Sequence, residues 1–276
     1  MEKLSEELTR KNLIDPLIKE SGFFLDKKRD REYEVQGMPN DEGIGYVDYV
    51  LWGDDGLPLA IVEAKRTIRS PKEGKQQAKL YADCLEKEFG RRPVIYYSNG
   101  YEHWFWDDTN YPTRSVQGFH SKDELELMMQ RRTSLSSLKS EKINNEIVER
   151  SYQHEAIRKV TEAFEENNER RSLLVMATGS GKTRVTIALV DLLMKCNWVK
   201  RVLFLADRVS LVKQATKEFG KHLIDVQVIN LLKNPDANGR IYVSTYQTIL
   251  NQINRVENNQ RKFGIGYFDL VVVDEA

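Results

Sequence analysis

The stretch Met176-Ala-Thr-Gly-Ser-Gly-Lys-Thr183 constrains this 276-residue chain more than any other. It follows an apolar run, Ser172 to Met176, that reads as a buried strand, and precedes an amphipathic segment, Arg184 to Lys195, that reads as a helix. Strand, glycine loop and helix are the context in which backbone N–H groups turn inward around phosphate oxygens, helped by the partial positive charge of the helix N-terminus. Thr178, Gly179, Ser180 and Gly181 would form the cradle. Lys182 can reach the β- and γ-phosphates, and the Thr183 hydroxyl can hold Mg²⁺. Position 176, where the common pattern has Gly or Ala, is Met. An ordinary Gly/Ser turn is the alternative.

Composition limits what surrounds this loop. Hydrophobic residues at 40% and charged residues at 30% fit a globular chain with room for one or two cores. The formal net charge is zero, so any nucleic-acid contact must come from local clusters. The charged N-terminus has no apolar signal region, and no apolar run approaches the length of a membrane span. Cys84 and Cys196 make neither a disulfide framework nor a zinc site, which suits the cytoplasm.

The chain divides around the polar, serine-rich stretch that begins at Arg131. We expect a first domain over 1–135, a linker with some helical character over 136–150, and a second domain over 151–276. In the first, the helical pattern of Leu4, Leu8, Leu13 and Ile14 should break or kink at Asp15-Pro16. Tyr46 to Trp52 and Leu57 to Lys65 read as strands joined by Gly53-Asp-Asp-Gly56, and Gly74 to Phe89 as a helix. Asn99-Gly100 joins two further strands. The second part alternates short apolar strands with helices, the pattern of a parallel sheet covered on both faces. Its strand Leu270 to Asp274 ends in Asp274-Glu275, where Asp274 can hold Mg²⁺ and Glu275 can aim or deprotonate an attacking water.

Asp48, Glu63 and Lys65 carry a second chemistry. Glu63 and Lys65 share one face of a strand, and the Gly-Asp-Asp-Gly turn brings Asp48 near Glu63. Two carboxylates and a lysine suit metal-dependent phosphodiester hydrolysis, the carboxylates binding Mg²⁺ and the lysine stabilising developing charge. This trio resembles the PD-(D/E)xK nuclease signature, with Val47 in place of the motif's proline. Glu6 matches an acidic first-helix residue of many such nucleases, which implies a further metal ligand. Gln77-Ala-Lys-Leu-Tyr81 resembles the QxxxY motif of the RecB-like branch, placing Gln77 and Tyr81 at the site. Residues 65–79 add six Lys or Arg against one acid, enough to neutralise phosphates locally. A solvated charged loop with a buried Asp–Lys pair is the bland alternative.

Further resemblances place the second part among superfamily 2 helicases. Arg150-Ser-Tyr-Gln153 resembles their adenine-reading Q motif, which gives Gln153 a nucleotide contact. The segments around Asp207-Arg208 and Thr245 resemble motifs Ia and Ib, which contact the nucleic-acid backbone; alternatively, Thr245 caps a helix and Asp207 pairs with Arg208. A RecB-like nuclease ahead of such a motor resembles the R subunit of type I restriction enzymes. The fold implied is α/β, a PD-(D/E)xK restriction-endonuclease-like domain followed by an incomplete RecA-like P-loop domain with a parallel sheet. The resemblance implies ATP and Mg²⁺ as cofactors, and double-stranded DNA, a methyltransferase subunit and a specificity subunit as partners. It also implies truncation within motif II, with negligible ATP turnover by this chain alone. A standalone nuclease–helicase, or a non-catalytic nucleotide- and DNA-binding remnant, are the rival readings.

Overall fold

The computed structural model describes residues 4–67, 69–253, 255–257 and 260–274, and its contacts divide these into two units. The first holds residues up to 129 together with 256–265; the second holds 130–255 and 266 onward.

A helical rod opens the first unit as α1 (Glu6–Thr9), a π-helical turn (Arg10–Ile14) and α2 (Asp15–Glu20). At Asp15-Pro16, where a break or kink is expected, the helix is not interrupted but is distorted into a π turn just before. The π turn closes through the Asp15 N–H to the Arg10 carbonyl, which lets Pro16, lacking an N–H, fall at the start of the next helical segment. The rod therefore continues, burying Ile14 and Ile18 completely.

Behind it lies a six-stranded sheet in chain order: β1 (Arg31–Gln36), β2 (Ile44–Trp52), β3 (Pro58–Ala64), β4 (Val94–Ser98), β5 (His103–Trp106) and β6 (Arg114–Val116). Neighbours are antiparallel except β3 and β4, which run parallel because α3 (Lys75–Phe89) crosses over between them. All residues of β3 and β4 are buried, as expected of central strands. Two apolar clusters fill the unit. One gathers Ile14, Ile18, Tyr49, Leu51 and Val62; the other gathers Val50, Ile61, Ala78, Tyr81 and Leu85 under α3. At the Asn99-Gly100 turn, Gly100 (φ +88°) lets the rod approach closely: a Cβ there would lie 2.6 Å from Leu13 Cδ1.

The short hairpin β10 (Val256–Glu257) and β11 (Gln260–Arg261) belongs to this first unit, although the sequence pattern places it with the second. Phe263 is buried, Ile265 packs on the rod-side cluster, and Arg261 Nε lies 3.2 Å from Glu20.

The second unit carries a four-stranded parallel sheet in the order β12 (Leu270–Val273), β7 (Val202–Ala206), β9 (Ile241–Thr245), β8 (Val228–Asn230). It is flanked by α5 (Ser151–Glu165), α6 (Lys182–Lys195), α7 (Val209–His222) and α8 (Tyr246–Ile253). One expected strand is absent. Residues 172–176 are extended but join no ladder; Leu173 and Val175 are exposed while Leu174 and Met176 pack on the core. Apolar character attracts a segment to a core, but a strand also needs a hydrogen-bonded neighbour, and this one has none.

The segment read as a linker is part of this core. α4 (Lys122–Ser134) runs past Arg131, and residues 136–150 form no helix. They are anchored by Leu138, Ile143, Ile147 and Val148, all buried in the second unit's cluster. The reason is visible in the pattern: these four apolar residues punctuate an otherwise polar stretch. Leu138→Ala should therefore destabilise the second unit by about 2–5 kcal/mol. Thermal or urea unfolding of the whole chain checks this, and a change within about 0.5 kcal/mol, typical of surface positions, would mean that the segment is not part of the core.

Candidate active site and phosphate loop

Strand pairing brings the first set of residues together. The β2–β3 ladder pairs Tyr49 with Val62, so Asp48 and Glu63 sit one step further along, and Lys65 follows the end of β3. Asp48 and Glu63 are both buried. Asp48 Oδ2 accepts the Ala64 N–H at 2.6 Å, and Oδ1 accepts from the Arg10 guanidinium. Glu63 Oε1 accepts from Lys65 Nζ at 2.6 Å, whereas Glu63 Oε2 is buried with no hydrogen-bond partner. Lys65 Nζ also donates to Gln77 Oε1 at 3.3 Å, and Gln77 Nε2 donates to the Tyr81 hydroxyl at 2.6 Å. Gln77 and Tyr81, one turn apart on α3, thus extend the site as a chain that fixes the Lys65 ammonium. Gly74, in the 3₁₀ turn before α3, permits this closeness, since a Cβ there would lie 2.9 Å from Glu63 Cγ and 3.1 Å from Lys65 Cε.

Electrostatics follows from burial. Burial raises the Asp48 carboxyl to about 6, against the opposing pull of Arg10 and the Ala64 N–H. Burial likewise raises Glu63 to about 8; the Asp48 charge adds to this and Lys65 opposes it. Burial works most strongly against the Lys65 ammonium, but Glu63, Asp48 and Glu6 together leave the lysine pKa above its ordinary value. Burial thus disfavours ionising both carboxyls together, and Lys65 favours the charged form of Glu63. A buried carboxylate oxygen without a donor, beside a second carboxylate, fits a divalent cation, which would favour the ionised form of both.

Glu6 pairs with Arg10 at 3.2 Å. The guanidinium stands between the Glu6 and Asp48 carboxylates, bonding both. Arg10 and Glu32 are the site residues that sequence reasoning missed. The signal for Arg10 was its position four residues after Glu6, one helical turn away. Nothing local marks Glu32; only the β1–β2 register reveals it.

In the second unit the glycine-rich loop turns on left-handed glycines ahead of a helix. Gly179 and Gly181 take φ of +78° and +91°, and α6 begins at Lys182 with Thr183 in its first turn. Thr178 is exposed at the loop's start. The Ser180 hydroxyl donates to the Ala177 carbonyl at 2.6 Å, and the Ser180 carbonyl accepts from Gln153 Nε2 at 3.0 Å and from the Tyr152 hydroxyl at 2.9 Å. Gln153 is buried and its Oε1 accepts the Arg150 N–H at 3.3 Å, so its amide braces the loop from behind. A Cβ at Gly181 would fall 2.6 Å from Gln153 Nε2. Asp274 follows β12, its N–H bonded to the Leu205 carbonyl at 2.9 Å. Glu275 lies outside the described residues. Asp207 pairs with Arg208 at 3.1 Å, and Thr245 Oγ1 accepts the Thr248 N–H at 3.3 Å as a helix cap.

The chain is similar to known proteins in both parts. The family "Type I restriction enzyme R protein N terminus" matches residues 31–114, and the family "Type III restriction enzyme, res subunit" matches residues 146–276. The EcoKI type I restriction endonuclease subunit of Escherichia coli K12 is 27% identical over 99% of this chain. The EcoAI type I endonuclease subunit of Escherichia coli is 30% identical over 91% of it. Over most of its length the chain is similar to the R subunits of type I restriction enzymes. It spans 29% and 32% of the lengths of those two relatives. A solved structure described as an HsdR fragment of a type I restriction enzyme from Vibrio vulnificus YJ016 aligns over 100% of this chain and 52% of that one, with 26% identity and a TM-score of 0.37.

The raised Glu63 carboxyl yields a signed prediction. Between its ordinary value of 4.5 and about 8, folded Glu63 keeps a proton that the unfolded chain releases, so metal-free stability falls as pH rises through that window. Melting temperatures in chelator should drop from about pH 5 to pH 8 more steeply for the wild type than for Glu63→Gln, and saturating Mg²⁺ should flatten the wild-type slope. Identical slopes for the two proteins would contradict the assignment.

Proposed function

We propose that this chain supplies the DNA-cutting site and part of the ATP-driven motor of a type I restriction endonuclease. The observation that carries the reading is the buried pair of Asp48 and Glu63 beside the fixed ammonium of Lys65, in a chain that also holds a Gly-Lys-Thr loop at a helix N-terminus. Asp48 and Glu63 would hold a divalent cation, which would supply Lewis-acid polarisation of the phosphate and an activated water. Lys65, aimed by Glu63 and Gln77, offsets the charge that builds on the phosphodiester oxygens. Tyr81 holds Gln77 and so acts on the lysine at one remove. The basic run from Lys65 to Lys79 provides counter-charge for the DNA backbone.

In the second unit, the N–H groups from Thr178 to Gly181 and the ammonium of Lys182 bind the ATP phosphates, with Thr183 and Asp274 as the residues that would hold Mg²⁺. Gln153 keeps the loop in shape through Ser180 and reads adenine with the remaining capacity of its amide. Glu275 aims the attacking water. Asp207, Arg208 and Thr245, at the ends of β7 and β9, meet the DNA backbone. Double-stranded DNA is the substrate, and the methyltransferase and specificity subunits are the partners that bring it to the site. The assembly works in the cytoplasm; among the described residues no helix is long and apolar enough to cross a membrane.

Two substitutions separate the activities. In the assembled complex with Mg²⁺ and ATP, Asp48→Asn or Lys65→Ala should lower plasmid cleavage at least about a hundredfold while leaving ATP affinity unchanged. Lys182→Ala should weaken ATP binding by about tenfold or more and leave the folded nuclease unit intact. Gel assays of plasmid nicking and calorimetric ATP titration read these out. Cleavage that persists in both nuclease variants would overturn the proposed site.

A further inference from the structure

Acidic side chains on two neighbouring strands meet one arginine in the first unit. The β1–β2 ladder pairs Arg31 with Tyr49 and Tyr33 with Val47, so it brackets Glu32 and Asp48 on facing strands. Like charges across neighbouring strands repel each other unless a cation lies between them. Arg10, placed by the π turn, bonds both carboxylates and also Glu6 at 3.2 Å. Glu32 makes its contact from a left-handed backbone with φ +47°, a costly conformation for a residue with a side chain.

This arrangement decides which Asp48 oxygen can serve a metal ion. Oδ2 accepts the buried Ala64 N–H, and withdrawing it would strand a backbone donor inside the sheet. Oδ1 is the exchangeable oxygen, and Arg10 holds it. Two buried atoms of the site are left without partners: Glu63 Oε2 has no donor and Arg10 Nε has no acceptor. Arg10 also has somewhere to go. Its side chain borders a cleft of about 920 Å³, and its other two acids, Glu6 and Glu32, are 37% and 54% exposed while Asp48 is 8% exposed.

We propose that Arg10 is a built-in counter-ion that occupies Asp48 Oδ1 in the metal-free site and moves onto Glu6 and Glu32 when a divalent cation binds. The proposal rests on reading Asp48 and Glu63 as cation ligands. Its consequence is that cation affinity is set by competition with a residue of the first helix, and anything that shifts that helix gates the nuclease. The arginine fork suits this role because it bonds several carboxylates at once, which a lysine ammonium does less well.

Calorimetric titration of Mn²⁺ into the full chain tests it, using wild type, Arg10→Lys, Arg10→Gln and Asp48→Asn. Arg10→Lys keeps the charge, so a purely electrostatic effect would leave its affinity unchanged; displacement predicts severalfold tighter binding. Arg10→Gln should bind about tenfold tighter, melt at a lower temperature in chelator and recover with Mn²⁺. If Arg10→Gln does not fold, Arg10→Lys decides alone. Affinities in the Arg10 variants equal to or weaker than wild type, with Mn²⁺ binding abolished by Asp48→Asn, would overturn the counter-ion role and leave the cation site standing. Absence of Asp48-dependent Mn²⁺ binding in the wild type and Arg10→Lys alike would overturn both.

Discussion

Two carboxyl groups buried side by side in a sheet govern the first unit. Taking Asp48 and Glu63 out of water costs free energy that must be offset by cations or protons close by. The surrounding elements are arranged to do so. The π turn aims Arg10 at Asp48; the end of β3 puts Lys65 against Glu63; and the Gly74 turn lets α3 approach closely enough for Gln77 to hold the lysine. None of these contacts adds much stability alone. Their joint effect is to keep a charged site assembled inside a sheet whose central strands are otherwise apolar.

The second unit poses a different problem, shaping a glycine-rich loop at the start of a helix. Glycines at 179 and 181 adopt left-handed backbone angles that other residues avoid, and the Ser180 carbonyl is tied back by Tyr152 and Gln153. The brace comes from α5 and the binding edge from α6, so helix packing sets the shape of the loop. The ends of β7, β9 and β12 deliver Asp207, Thr245 and Asp274, the arrangement in which parallel sheets present polar groups at their carboxyl ends.

Much of this was legible in the sequence wherever a local rule sufficed. Glycine spacing marked the left-handed loop before α6, the Gly-Asp-Asp-Gly turn indicated that β2 and β3 would pair, and helical spacing put Gln77 and Tyr81 on one face. What escaped depended on partners far along the chain. Glu32 matters because of the register between two strands, which no short window reveals. The extended segment 172–176 looks like a strand by composition but lacks a ladder neighbour. Residues 136–150 look like a polar linker because only four of their apolar positions do the anchoring. Pro16 suggested a break, yet a π turn absorbed it, and that same turn carries the arginine that sequence reasoning overlooked.

The account rests on Asp48 and Glu63 sharing one divalent cation. Anomalous diffraction from crystals of this chain soaked in Mn²⁺ tests that claim most directly. A manganese peak within coordination distance of Asp48 Oδ1 and Glu63 Oε2, about 2.0–2.4 Å from each oxygen, is the expected result. A peak elsewhere, or none while Arg10 remains on Asp48 at saturating Mn²⁺, would contradict it.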